Sequence, residues 1–359
     1  MSRFLRPQQG LGWLDQRMPR QVLLSGPTPL TRWVDASPGE FWIKRDDLSH
    51  PLYGGNKVRK LEYILAHALN KGVQRIVTFG GLGTHHGVAT TIFGRTLGLA
   101  TTVILFDQPR TQVVEESLAL LQNWGAELWF RGSLTRTLLS YALESRLRHP
   151  QAMRLFAGGS SIEGGQAFVR AAFELGLQVE QGLMSRPDRL VVAVGSSATV
   201  AGLATGCALM GWSTRVTGIR VAPARLGFFD ACTLATVRKQ ANALSQYWLS
   251  WGAPRHQLCI DWDDDEFGLG YGLSTPQGTD AEQLFRSQLG VPLDPTYTAK
   301  AFAGALKWRA QRPDETLLYW HSLSSVPFEQ ILYQPISARI PSLSLDSTLF
   351  RGGQGGKFS

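Results

Sequence analysis

The chain has 359 residues, room for a large buried core and, by length alone, for two domains. Apolar residues are 43% and charged residues 18%, and no apolar run approaches the roughly 18 residues that a spanning helix needs, so a membrane protein of that kind is excluded. The net charge of +8 raises a nucleic-acid surface, but the positives stand singly and the 11 tryptophans are dispersed; a basic surface that draws in an anionic substrate or cofactor is the better reading.

The N-terminus, MSRFLRPQQGLGWLDQRMPR, has no apolar stretch of the secretory kind, so a cytoplasmic protein is expected. The first forty residues are rich in Pro, Gly and polar side chains, with one ordered-looking turn at Pro27–Leu30. FWIKRDDL (Phe41–Leu48) reads as a short strand running into acidic residues. A helix follows from Val58, because Val58, Leu61, Leu65, Ala68 and Leu69 recur every three or four residues as one apolar stripe. Gly54-Gly55 ends what precedes it, and Asn56 is the expected N-cap. Lys57 then falls in the first turn, with Arg59 and Lys60 close behind, where the helix dipole disfavours cations. A lysine held there is inclined to lose its proton, and a neutral amine is what a Schiff base needs. Alone, the motif reads as a solvated basic turn; the rest of the chain shifts that balance.

Strand and helix patterns then alternate. Strands are expected at 75–80, 101–106, 127–130 and 154–156, with helices at 84–97, 111–124 and 134–146 between them. This βαβ rhythm builds a parallel sheet with helices on its faces. AGGSS (157–161) breaks it, and a long helix at about 162–180 follows. LVVAVGS (190–196) is an almost wholly apolar strand, as at the centre of a parallel sheet. A helix from Thr199, strands at 215–222 and 257–262, helices near 231–250, 279–289 and 298–311, and a strand at 317–322 complete the pattern. From Pro341 the tail PSLSLDSTLFRGGQGGKFS reads as loosely ordered. Cys207, Cys232 and Cys259 lie far apart without a CxxC pair, so neither a disulfide framework nor a cysteine zinc site is indicated.

Ligands of open parallel sheets sit beyond the carboxyl ends of the strands. Three such ends are rich in small or hydroxyl residues: GGLGTHHG (80–87), GGSSIEGG (158–165) and GSSATVAG (195–202). Each leads into a helix N-terminus, which favours anions. The third is the best phosphate cradle. Gly195 lets the backbone come close, Ser196, Ser197 and Thr199 offer hydroxyls, and Gly202 allows tight helix packing. There is neither a Walker lysine nor a GxGxxG, which argues against ATP and dinucleotides. Thr84-His85-His86 suits a substrate carboxylate; adjacent histidines diverge on a helix and no HExxH accompanies them, so no metal site is expected. Tyr271 in GLGYG and Tyr297 in DPTYT stand in Gly- or Pro-flanked loops, where most tyrosines are structural and a minority act as acids, bases or ring-stacking groups.

PTPL, then IKRDDL followed by GGNKVRKLE, and DPTYTAKAFAG together resemble the pyridoxal-phosphate enzyme family that contains D-cysteine desulfhydrase and 1-aminocyclopropane-1-carboxylate deaminase, over about residues 27–322. The resemblance implies fold type II: an α/β protein with two open, twisted, mainly parallel sheets in a large and a small domain, usually a homodimer. The expected division is 1–56 with 162–340 for the large cofactor-binding domain, 57–161 for the small one, and 341–359 for the tail. It implies that Lys57 is bound to pyridoxal 5'-phosphate as a Schiff base, with Asn56, Gly195, Ser196, Ser197, Ala198 and Thr199 around the cofactor and its phosphate. Thr84, His85, His86 and Ser160 would hold the substrate, His85 also facing the cofactor's phenolic oxygen. Tyr271 and Tyr297, with Thr84 and Lys57, would line the reacting face.

Two positions separate the branches of the family. The deaminases carry Glu directly after the tyrosine of DPxY and Leu after the histidine of the last strand; here these are Thr298 and Ser322. Hydroxyls leave the pyridine nitrogen largely neutral, which suffices for losing a good leaving group from Cβ. The chain also departs from its relatives. His85 stands for an asparagine, Ser161 ends the GGS-Asn motif, Ser197-Ala198 replace glycines, and His321-Ser322-Leu323-Ser324 replaces HTGG. The expectation is a lyase eliminating from a small amino acid in the manner of D-cysteine desulfhydrase, with substrate and configuration left open. The alternatives are deamination, β-replacement or racemisation on the same fold, or a cofactor-binding protein without turnover.

Overall fold

The computed structural model describes residues 4–226 and 229–332. They divide into two compact units, one made of the chain up to Gly72 and from Phe156 on, the other of Val73–Leu155. The larger unit holds a six-stranded sheet in the order Leu30–Trp33, Phe41–Arg45, Leu317–His321, Arg189–Val194, Arg215–Arg220, Ile260–Asp263. Only the first pairing is antiparallel. Its central strands, RLVVAV and LLYWH, are buried along their whole length, as parallel strands covered on both faces must be. On one face lie Phe168, Phe173, Leu203, Leu244 and Trp248; on the other, Phe285, Ala299 and Phe302. The Ile162–Glu180 and Ala198–Leu209 helices cross closely, since a Cβ on Gly202 would lie 2.3 Å from the Gly165 carbonyl oxygen. Gly202 thus has the packing role its position suggested.

The smaller unit is a four-stranded parallel sheet in the order Glu127–Gly132, Ala100–Phe106, Arg75–Gly81, Met153–Arg154. His85–Thr96 and Gln112–Asn123 are its first helices, and Leu134–Leu139 runs through a wider turn at Ser140–Glu144 into Ser145–Arg148.

Several elements differ from the sequence expectation. Pro7–Arg17 is a helix where loop composition was read. A Cβ on Gly10 would collide with the Phe173 ring at 2.3 Å, so a glycine that weakens the helix is what lets it dock. Leu30–Trp33 forms the antiparallel edge strand, and Arg225–Leu226 pairs with Phe229–Asp230. The Asn56–Asn70 helix begins one residue early: Gly55, at φ 92°, is its N-cap, and Asn56 is the first helical residue. This helix packs on Ile162–Glu180 and so groups with the larger unit, with divisions at 72/73 and 155/156 where 56/57 and 161/162 were expected. The tail expected from Pro341 lies outside the described residues. Among the described residues, no helix is long and apolar enough to cross a membrane.

Candidate active site

Lys57 emerges from the first turn of the Asn56–Asn70 helix, at the carboxyl end of the larger sheet. The turn is fixed through its backbone. Asn56 N–H donates to the Ser322 carbonyl at 3.1 Å, Gly54 N–H to Ser324 Oγ at 2.9 Å, and Gly55 N–H to the Asp46 carbonyl at 2.8 Å. A Cβ on Gly55 would lie 2.8 Å from the Ser322 oxygen, so only glycine fits this approach. Lys57 Nζ donates to Asn56 Oδ1 at 2.8 Å. Burial pulls its pKa down to about 8, against the opposing pull of the Asp294 charge. The expected tendency to lose a proton is present, with burial as its cause.

The loop after Arg189–Val194 gathers the next group. Gly195 leaves space that a side chain would close, since its Cβ would meet the Tyr297 ring at 3.1 Å. Ser197 is the N-cap of the Ala198–Leu209 helix but makes no capping hydrogen bond; its hydroxyl donates instead to Gln240 Oε1. Gln240 in turn donates to the Ser161 carbonyl at 2.8 Å. Thr199 and Ala198 are buried in the first turn. Ser196 Oγ donates to the Gly158 carbonyl at 3.2 Å, beside Ser160. Lys60 Nζ reaches the same carbonyl at 2.8 Å and Ser196 Oγ at 3.2 Å. Lys60 is fully buried, and burial together with the Lys57 charge holds its pKa well below the usual lysine range. A buried lysine beside a helix start without a side-chain cap is a place where an anion would settle, and an anion there would restore the lysine's charge.

Tyr271 and Tyr297 meet hydroxyl to hydroxyl. Burial raises both phenol pKa values, and the Tyr271 and Asp294 charges raise Tyr297 further, so both phenols stay protonated at neutral pH. One phenol proton bridges the pair. Asp294 organises this region. Its carboxylate accepts from the backbone N–H of Thr296 at 3.0 Å, Tyr297 at 2.6 Å and Thr298 at 3.1 Å. Thr298 Oγ1 donates to Asp294 Oδ2 at 2.7 Å and accepts from Asp294 N–H at 2.8 Å. Thr298 is buried, and its single hydroxyl proton is therefore already committed. His321, just before Ser322, is fully buried between Phe285 and Tyr319, and neither ring nitrogen has a hydrogen-bond partner among the described residues.

The larger unit thus brings together Lys57, Asn56, Ser160, Gly195, Ser196, Ser197, Ala198, Thr199, Tyr271, Tyr297, Thr298 and Ser322. Thr84, His85 and His86 belong to the smaller unit, at the end of Arg75–Gly81. Thr84 caps the His85–Thr96 helix by accepting from Gly87 N–H at 3.1 Å, which leaves its own proton to donate. A separate surface groove of about 530 Å³ lies between Asn242–Leu249 and Arg255–Leu258 and holds none of these residues. Sequence reasoning passed over Lys60, Gln240 and Asp294. Asp294 and Lys60 stand inside DPTY and GGNKVRKLE, and a buried carboxylate or ammonium within a motif was the available signal. Gln240 sits on a helix without any local mark.

Residues 22–322 match the family described as pyridoxal-phosphate dependent enzyme. The chain is 32% identical over 324 residues to D-cysteine desulfhydrase of Salmonella schwarzengrund (strain CVM19633), covering 85% of this chain and 94% of that protein, and equally to that of Salmonella newport (strain SL254). Among solved structures, an ACC deaminase homologue superposes with a TM-score of 0.74 at 28% identity, over 88% of this chain and 94% of that one. O-ureido-L-serine synthase, at 16% identity and a TM-score of 0.61 over 90% of this chain and 96% of that one, shares the fold.

Proposed function

The chain belongs to the pyridoxal-phosphate dependent enzymes, and from that premise we propose that it is a lyase acting on a small β-thiol amino acid, with D-cysteine as the preferred substrate. Two mainly parallel sheets in a larger and a smaller unit are the fold type II arrangement of that family. The larger unit's residues fit the cofactor. Lys57 has a lowered pKa, the loop at Gly195 leaves room that a side chain would close, and the buried Lys60 reaches Ser196 of that loop. In this reading Lys57 holds the cofactor, and Gly195 through Thr199 with Lys60 hold its phosphate. Ser322 supplies the hydroxyl at the ring nitrogen. The larger unit is then the cofactor domain, and Thr84, His85 and His86 are the proposed residues for the substrate carboxylate.

When bound, the cofactor supplies an electron sink for charge at the substrate's Cα. Lys57 takes the Cα proton, since a pKa lowered to about 8 leaves a neutral fraction of the amine near neutral pH. The pair of Tyr271 and Tyr297, protonated at neutral pH because burial raises both phenols, is the proposed acid for the departing sulfur. D-cysteine and water would become pyruvate, ammonia and hydrogen sulfide. The observation that carries the reading is the half-buried Lys57 amine, its pKa drawn down to about 8, beside Asn56 at the sheet's carboxyl end. Thr298, committed to Asp294 where the deaminases have Glu, favours elimination over cyclopropane opening. The protein is further read as a cytoplasmic homodimer, which light scattering of the purified protein tests. For the activity, the loaded protein is given a panel of D- and L-amino acids, and 2-oxo acid and sulfide are measured. D-cysteine should lead; release of neither product from any thiol amino acid would refute the lyase reading.

A further inference from the structure

Behind Lys57 lies a buried ionic cluster that takes no part in the chemistry just described. Asp46, fully buried, accepts from Thr28 Oγ1 at 2.9 Å, from Arg59 Nε at 2.9 Å and Nη2 at 2.8 Å, and from Trp320 Nε1 at 2.7 Å. Arg59 also donates to Glu174 through Nη1 at 2.8 Å and Nη2 at 3.0 Å, and Lys44 donates to Glu174 at 2.7 Å and to Gln178 at 2.6 Å. Two cations and two anions are thereby paired inside the core. Such clusters contribute little net stability compared with an apolar core of the same volume, so their geometry is the better place to look for their use.

That geometry is specific. The backbone carbonyl of Asp46 holds Gly55 N–H at 2.8 Å, and its carboxylate holds the Arg59 guanidinium. Gly55 and Arg59 are the residues two before and two after Lys57. One residue at the end of the Phe41–Arg45 strand therefore grips the helix start on both sides of the lysine. Trp320 ties the same carboxylate to the strand that ends at His321 and is followed by Ser322, whose carbonyl holds Asn56. The bidentate Arg59 fork fixes rotation about the helix axis as well as position along it.

We propose that Asp46, through Arg59 and Gly55, is a positioning residue that sets the angle at which Lys57 meets the cofactor. This rests on Lys57 being the attachment point. The test compares loaded wild type with Asp46→Asn and with Asp261→Asn. Asp261 is a carboxylate that accepts from Arg189 at the opposite end of the same sheet, away from Lys57. Three quantities are read: the visible band of the loaded protein, the fraction of chain fixed at Lys57 by borohydride, and the melting temperature. Asp46→Asn should weaken cofactor retention about tenfold, the scale of one charge-assisted hydrogen bond, and lower the fixed fraction. Asp261→Asn should match wild type in both, even where its melting temperature falls as far. Equal behaviour of the two variants at matched melting temperature would overturn the proposal. If Asp46→Asn does not fold, Arg59→Lys keeps the charge and removes the fork, and the same readouts decide. A Lys57→Ala protein that keeps the band and the borohydride adduct would instead overturn the attachment point itself.

Discussion

The two ends of the larger sheet are built to different rules. At the amino end of its strands, Arg189 donates to Thr217 and Asp261 at 2.8 Å and to Glu315 at 3.2 Å, and its guanidinium stacks 3.9 Å from the Trp308 ring. The Arg189 charge is thus met by two carboxylates, and both keep some contact with water. At the carboxyl end, Lys57 has a neighbouring amide, Lys60 is buried with a carbonyl and a hydroxyl, and His321 has no partner for either ring nitrogen. A buried polar group left unpaired costs about 1–3 kcal/mol. The contrast is one of charge: at the amino end a buried cation is met by carboxylates, and at the carboxyl end two lysines hydrogen-bond to neutral partners only, where an anionic ligand can relieve them.

The sharpest break in that contrast is Lys57→Ala. Turnover should fall by more than about a thousandfold, the scale for loss of a nucleophile, while the circular dichroism of the fold is retained. Ordinary turnover in this variant would remove the chemistry from the carboxyl end. At the other end, Arg189→Met should do the reverse: unfolding by urea should come about 2 kcal/mol earlier, with turnover per folded molecule unchanged. The pH dependence of cofactor uptake is a finer test. Only the neutral amine attacks an aldehyde, so uptake at Lys57 should rise through about pH 8 and then level off, measured by stopped-flow absorbance. A midpoint near the ordinary lysine value of 10.5 would mean the amine is not desolvated.

The smallest effect is expected from His321→Phe, which keeps a ring against Phe285 and Tyr319 and deletes the two orphan nitrogens. Stability should rise by about 1 kcal/mol near neutrality. Burial holds the His321 pKa below its ordinary 6.5, so the unfolded chain takes up the proton first. Wild type therefore loses stability as pH falls below 6.5, and the gap in favour of the variant should widen there. Denaturant midpoints at pH 7 and pH 5.5 check both parts.

The alternating strands and helices were legible because parallel strands are long apolar runs and their crossovers carry helical stripes. Lys57 stood out through its motif, and the loop proposed for the phosphate through its small residues. The Pro7–Arg17 helix was not, because Gly10 lowers its propensity and only the Phe173 ring in the folded core explains why glycine is there. Asn56 was misread as the cap because the cap role went to a glycine in the left-handed region, whose worth lies in a carbonyl from far along the chain. Arg59 and Lys60 looked like a solvated basic turn. Their partners, Asp46, Glu174 and the Gly158 carbonyl, are distant in sequence, and local pattern carries no trace of such pairings.

The larger unit is written in two separated stretches of chain, and the turn before Lys57 is closed by a bond from Gly54 to Ser324, 270 residues away. During synthesis the reactive amine therefore leaves the ribosome long before its pocket exists, while the continuous Val73–Leu155 stretch is already out. Until the last strand arrives the lysine is an ordinary, water-bathed side chain. Loading of the prosthetic group is accordingly one of the final events in the protein's making, and a prematurely terminated chain is born unable to hold it.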